Sequence, residues 1–95
     1  MQFVLIAYDG TDGKALERRM NARPMHLERV KELKDEGRFV FGGAILDDDE
    51  KMVGSVVVYD FPGWQEVEDY LETEPYVAGG VWKKIEIKKF RMASI

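Results

Sequence analysis

Four strand-like runs and two helical ones, in the order β-α-β-β-α-β, predict an α+β domain: a four-stranded antiparallel sheet with both helices on one face. Three observations carry this reading. The strand runs are apolar and rich in β-branched and aromatic residues, one long segment repeats its apolar residues at helical spacing, and turn-forming residues sit at the junctions. The 95 residues, 45% of them hydrophobic, suit one domain over 1–95 with no linker or low-complexity segment.

The elements follow in order. "QFVLIAY" (2–8) reads as a strand closed by the turn signal "DGTDG". From Lys14 to Glu36, Leu16, Met20, Leu27, Val30 and Leu33 fall on one stripe, the expected buried face of a long helix that Gly37 stops. Pro24 either kinks that helix or opens a new one, which leaves the register between Arg19 and His26 open. "RFVFGGAIL" (38–46) and "KMVGSVVVYDF" (51–61) form a hairpin around "DDDE", whose spacing does not match a calcium loop. "WQEVEDYLE" places Trp64, Val67 and Leu71 at helical spacing, "TEPYVAGG" (73–80) reads as a loop, and "VWKKIEIKKF" (81–90) is the last strand. In "KKIEIKK" (83–89) the isoleucines Ile85 and Ile87 are expected to point inward, with lysines solubilising an edge.

This order is the ferredoxin-like, split βαβ arrangement, with the first and third strands central. Alternation then assigns faces. Phe3, Leu5 and Ala7 oppose Val4, Ile6 and Tyr8, and Val53, Val57 and Tyr59 oppose Met52, Val56 and Val58, so both faces of the sheet are apolar. Two helices cover only one. The other would leave several hundred Å2 of apolar surface in water, roughly the size that marks an interaction site, and the expected partner is a second copy of the chain, sheet packed on sheet.

Composition narrows the function. No cysteine is present, which removes disulfides, thiolate catalysis and cysteine-ligated metals. A net charge of -4 argues against nucleic acid, no run approaches the roughly 20 apolar residues of a membrane span, and the start lacks the basic residues of a signal peptide. A cytoplasmic protein is expected. One histidine with scattered acids makes a poor metal site, and no metal or other cofactor is expected.

The candidate site lies in "NARPMHLERV" (21–30), which holds the chain's single histidine, His26. On an uninterrupted helix Arg19, Arg23 and His26 fall within about 60° of one another, a polar stripe beside the apolar one. Histidine suits acid/base chemistry near neutral pH if a carboxylate fixes its tautomer. Two carboxylates share the right end of the sheet: Asp9, closing the first strand, and Glu74, before the last. Arg19 and Arg23 suit an anionic substrate through forked hydrogen bonds. Gly42, Gly43 and Gly54 either let a ligand approach backbone or mark bulges. Ser55 has no base beside it in the sequence, which argues against a nucleophile. Tyr76, Trp64 and Trp82 could line an aromatic pocket, with core packing the stronger expectation for the tryptophans.

Asp9, Arg19-x-x-x-Arg23-x-x-His26-Leu27, the pairs Gly42-Gly43 and Gly54-Ser55, and "EPYVAGG" resemble, in order and spacing, the YCII-related family of small bacterial proteins over nearly the whole chain. The resemblance implies a ferredoxin-like unit that dimerises into an α/β barrel. It also implies an active-site pair made of the helix histidine and the aspartate of an "Asp-Pro-Tyr" motif, and, in some relatives, dehydrochlorination of hydroxylated, chlorinated aromatic rings. Here the pair becomes His26 and Glu74, followed by Pro75 and Tyr76, with Glu longer than Asp by one methylene. The expected protein is thus an acid/base enzyme using His26 with Glu74 or Asp9, and Arg19, Arg23, Gly43, Ser55 and Tyr76 facing a small anionic or phenolic molecule. A homodimer that binds or senses such a ligand without chemistry is the alternative.

Overall fold

The computed structural model describes residues 1–95. Strand β1 (Gln2–Asp9) is followed by helix α1 (Ala15–Asp35), strands β2 (Phe39–Leu46) and β3 (Met52–Asp60), helix α2 (Trp64–Thr73), the single turn α3 (Pro75–Ala78) and strand β4 (Trp82–Phe90). The sheet order is β2-β3-β1-β4, antiparallel throughout, with β1 and β3 central. This is the ferredoxin-like α+β topology that the element order requires.

Pairing puts Phe3 opposite Tyr59, Leu5 opposite Val57 and Ala7 opposite Ser55. Their shared face is the core, where Phe3, Leu5, Val57 and Tyr59 pack with Leu33, Val67, Tyr70 and Tyr76. The alternate residues, among them Val4, Ile6, Tyr8, Phe41, Ile45, Val56 and Val58, occupy the opposite face, where Val58 is buried by its neighbours and the other six are half-buried or exposed. β4 contributes Lys84, Glu86 and Lys88 there, so the apolar area is displaced towards β2. At the centre Gly54 admits no side chain: a Cβ would stand 2.5 Å from the carbonyl oxygen of Ala7.

Glycine ends two of the three helices by the same device. Gly37 takes φ +75°, and the amides of Gly37 and Arg38 bond back to the carbonyls of Lys34 and Leu33. At α3, Gly80 takes φ +68° while the amides of Gly80 and Val81 return to Val77 and Tyr76.

Three expectations are corrected. α1 runs through Pro24 without a break, so Arg19, Arg23 and His26 do share one helix. Its buried face, however, is not the Leu16–Met20–Leu27 stripe, all three of which are exposed. Arg19 and Leu33 are buried instead, with Ala22, Arg23, His26 and Val30 partly so. Arg19, His26 and Leu33 are each seven residues apart, which at about 100° per residue keeps them in line. Next, 73–80 is no open loop. Pro75 supplies the fixed φ of a first helical position, Glu74 caps the turn by accepting from the Tyr76 amide at 3.0 Å, and a four-residue helix results. Lastly, Ile87 packs against the core but Ile85 is 40% exposed, because β4 is an edge strand.

Candidate functional site

Where α1 crosses the sheet, two buried polar clusters lie side by side. The first joins the end of β1 to the second turn of α1. Arg19 Nη1 donates to both carboxylate oxygens of Asp9, at 3.0 and 3.1 Å, and Nη2 donates to Ser55 Oγ at 2.9 Å. The Trp82 indole also donates to Ser55 Oγ, at 3.2 Å. Asp9, Arg19, Ser55 and Trp82 are all buried. Burial pushes the Asp9 carboxyl up from its ordinary value, against the opposing pull of Arg19. Arg19 Nε is buried with no partner.

The second cluster joins the middle of α1 to the α2–α3 junction. His26 Nδ1 lies 2.6 Å from Glu74 Oε1. A carboxylate only accepts, so Nδ1 carries the proton and the neutral ring leaves its Nε2 lone pair free. Glu74 is 0% exposed, yet both its oxygens are satisfied: Oε1 also accepts from the Tyr76 amide, and Oε2 from the Tyr70 hydroxyl at 2.5 Å. The His26 ring stacks on Tyr76, with centroids 3.8 Å apart and planes 9° from parallel, and meets Trp82 edge-on at 6.1 Å. The Arg19 guanidinium also lies over the Tyr76 ring, 4.7 Å from its centroid. Burial raises the Tyr76 phenol above its ordinary value, so it remains a hydrogen-bond donor at neutral pH.

A pocket of about 110 Å3 opens between α1 and β2, with Arg23, His26, Tyr76, Ser55 and the Gly42–Ala44 segment in its wall. The apolar part of the lining includes Leu27, Val30, Phe39 and Val57. Cavities of roughly this size hold a single six-membered ring. Arg23 makes no hydrogen bond or ion pair within the chain, leaving its guanidinium open to a ligand. His26, with 11% of its side chain exposed, is accessible from the same space.

The chain thus assembles most of the sequence-selected residues but divides their work. His26 and Glu74 meet, with a glutamate carboxylate in contact with the imidazole. Asp9, the alternative partner, is held by Arg19 instead. Arg19 borders the pocket too, but its guanidinium is engaged by Asp9 and Ser55, which leaves Arg23 as the cation without a partner in the chain. Gly43 and Ser55 do line the pocket, Ser55 with its oxygen accepting two bonds. Trp82 is a core residue, as expected, but one with a polar duty. Tyr70 was not anticipated; its position four residues before Glu74, one helical turn away, was the available signal.

The match to known families settles kinship. The model for the YCII-related domain covers residues 1–91. The chain belongs to the YCII-related family. The protein YciI of Escherichia coli is 33% identical over 97 residues, covering 96% of this chain and 97% of that one. A protein from Emericella nidulans, derivative of benzaldehyde biosynthesis cluster protein C, is 36% identical over 72 residues, or 68% of this chain and 74% of its own. Among solved structures, 5-chloro-2-hydroxyhydroquinone dehydrochlorinase (TftG) from Burkholderia phenoliruptrix AC1100, in complex with 2,5-dihydroxybenzoquinone, superposes with a TM-score of 0.85. It is 24% identical, with 98% of this chain and 96% of that one covered, and the likeness establishes the shared fold. No helix of the YCII-related chain is long and apolar enough to cross a membrane.

Proposed function

We propose that this YCII-related protein is a small-molecule enzyme in which His26 is the general acid/base and Glu74 its orienting carboxylate. The observation that carries the reading is the 2.6 Å contact between His26 Nδ1 and Glu74 Oε1 at the wall of a ring-sized pocket. With Nδ1 engaged, Nε2 takes a proton from a ring hydroxyl or carbon, and Glu74 compensates the imidazolium that results. Arg23 neutralises the phenolate or enolate formed. Returning the proton to another atom completes an isomerisation; expelling chloride instead completes an elimination, proton and chloride leaving together as HCl.

The substrate class is a single-ring phenolic, quinol-like or chlorinated aromatic acid. Support comes from the free Arg23, the stacked aromatic floor of Tyr76 and the chemistry named for the structural relative TftG. The working unit is a homodimer joined through the open sheet face, whose half-buried Val4, Ile6 and Val56 and exposed Phe41 support a second copy as its cover. A chlorinated hydroxyquinol is the first compound to try: release of chloride by the native protein and not by His26→Ala supports the assignment, and equal release by both removes it. The same pocket without chemistry would give a ligand-sensing dimer, distinguished by saturable binding with no product.

A further inference from the structure

Glu74 meets His26 and the Tyr76 amide with Oε1, and the charge left on that oxygen is set by what occupies Oε2. Its only partner there is the hydroxyl of Tyr70, a 4% exposed residue on α2. We propose that Tyr70 is a positioning residue for the acid/base pair, fixing the plane of the Glu74 carboxylate and drawing off part of its negative charge through Oε2. The inference rests on the His26–Glu74 reading and extends it one residue inward.

The surroundings make Tyr70 a dedicated donor. Its ring is held edge-on by Tyr59, with centroids 5.4 Å apart, and tilted against Phe61 at 5.7 Å. Arg29 lies over it at 5.0 Å, bonded in turn to Glu32. Burial raises the Tyr70 phenol far beyond the neutral range, as does the Glu74 charge beside it, so the hydroxyl keeps its proton and its direction of donation. Tyr59 supplies a natural contrast. Its hydroxyl is equally buried and lies close to that of Tyr70, but it completes no hydrogen bond and does not reach Glu74. Two phenols therefore pack against each other, and only one reaches the carboxylate.

A donor on Oε2 lowers the negative potential that Oε1 presents to the imidazole. Removing it leaves that oxygen unpaired, concentrates charge towards His26, and strengthens the imidazole's hold on its second proton. A Tyr70 that served only as packing would have no such effect, and one whose loss merely loosened Glu74 would weaken the proton's hold.

His26 is the chain's single histidine, so ring carbon and nitrogen NMR signals report it without ambiguity and without a substrate. The test is its pH titration in the native protein and in Tyr70→Phe, Tyr59→Phe and Glu74→Gln, each checked for folding by its amide spectrum. The expected result is a midpoint raised by about half a unit in Tyr70→Phe, unmoved in Tyr59→Phe, and lowered by about one unit in Glu74→Gln. A Tyr70→Phe midpoint that coincides with the native one, or that falls, overturns the proposal while the pair itself stands. A native midpoint retained in Glu74→Gln overturns the pair, and the proposal with it. Should Tyr70→Phe not fold, replacement of Tyr70 by 3-fluorotyrosine, a stronger donor, is expected to shift the midpoint down, and no shift overturns the proposal.

Discussion

The two buried clusters under α1 are built from the same kinds of group and do different things. Asp9 and Arg19 close on each other: both carboxylate oxygens are engaged by one guanidinium nitrogen, the second reaches Ser55, and all three side chains are buried. His26 and Glu74 also form an acid–base contact, but one of its members is an imidazole with a second nitrogen that the fold leaves unbonded. The first arrangement borders the pocket through Arg19 and Ser55, but its charged groups are turned towards each other and what it has left is donors, the Ser55 hydroxyl proton and Arg19 Nε. The second offers the same pocket an acceptor. A buried charged pair is thus no sign of a site by itself; the free acceptor is.

Five substitutions test this contrast, the last of them at a pair that serves as an exposed reference. The largest effect is expected from Asp9→Ala, which strands the Arg19 charge in the interior. Breaking a buried pair from one side costs about 3–5 kcal/mol, so denaturant unfolding should move to much lower concentration. A loss under about 1 kcal/mol would mean that water reaches Arg19. His26→Ala should show the opposite emphasis: turnover of a ring substrate falls by about a hundredfold or more, while the unfolding midpoint drops by less than in Asp9→Ala, because Glu74 loses the imidazole but keeps the Tyr70 hydroxyl and the Tyr76 amide.

Arg23→Gln sharpens the contrast between a spent and a free guanidinium. KM for an anionic ring compound should rise and kcat fall, lowering kcat/KM by about tenfold or more, and an unchanged kcat/KM would take Arg23 out of the site. Tyr59→Phe deletes a buried hydroxyl that has no partner. Stability measured by thermal melting should stay within about 1 kcal/mol of native or rise, whereas the partnered Tyr70 hydroxyl should be missed more.

The smallest effect belongs to a pair outside both clusters. Arg18 bonds to Asp12 at 2.7 Å and holds that carboxyl down at about 2. A carboxyl depressed on folding stabilises the native state above its unfolded value and loses that contribution as pH falls through the folded one. Between pH 4 and 2, Asp12→Asn should therefore show a shallower decline in stability than the native chain. Parallel acid titrations would show that this exposed pair contributes nothing measurable.

Much of the architecture was legible because alternation and turn chemistry are local. "QFVLIAY", the "DDDE" hairpin and Gly37 each state their conformation within a few residues, and the strand order follows from their sequence. The facing of α1 was not legible. Leu16, Met20 and Leu27 look like its core stripe, yet hydropathy cannot register that Arg19 has Asp9 and Ser55 waiting beneath it, or that Glu74 waits for His26. Polar groups turn inward when their partners are supplied from distant segments, and those partners become visible only in three dimensions. The short helix at 75–78 was missed for a related reason: its cap is a glutamate, a residue that local patterns credit with helix interiors more than with caps.

Glu74 has two employers. The oxygen that meets His26 also receives the Tyr76 amide that starts α3, so the turn carrying the aromatic floor is secured by the atom that faces the imidazole. Any change at this position disturbs scaffold and chemistry at once. A replacement without a carboxylate is therefore expected to cost the turn as well as the imidazole's partner.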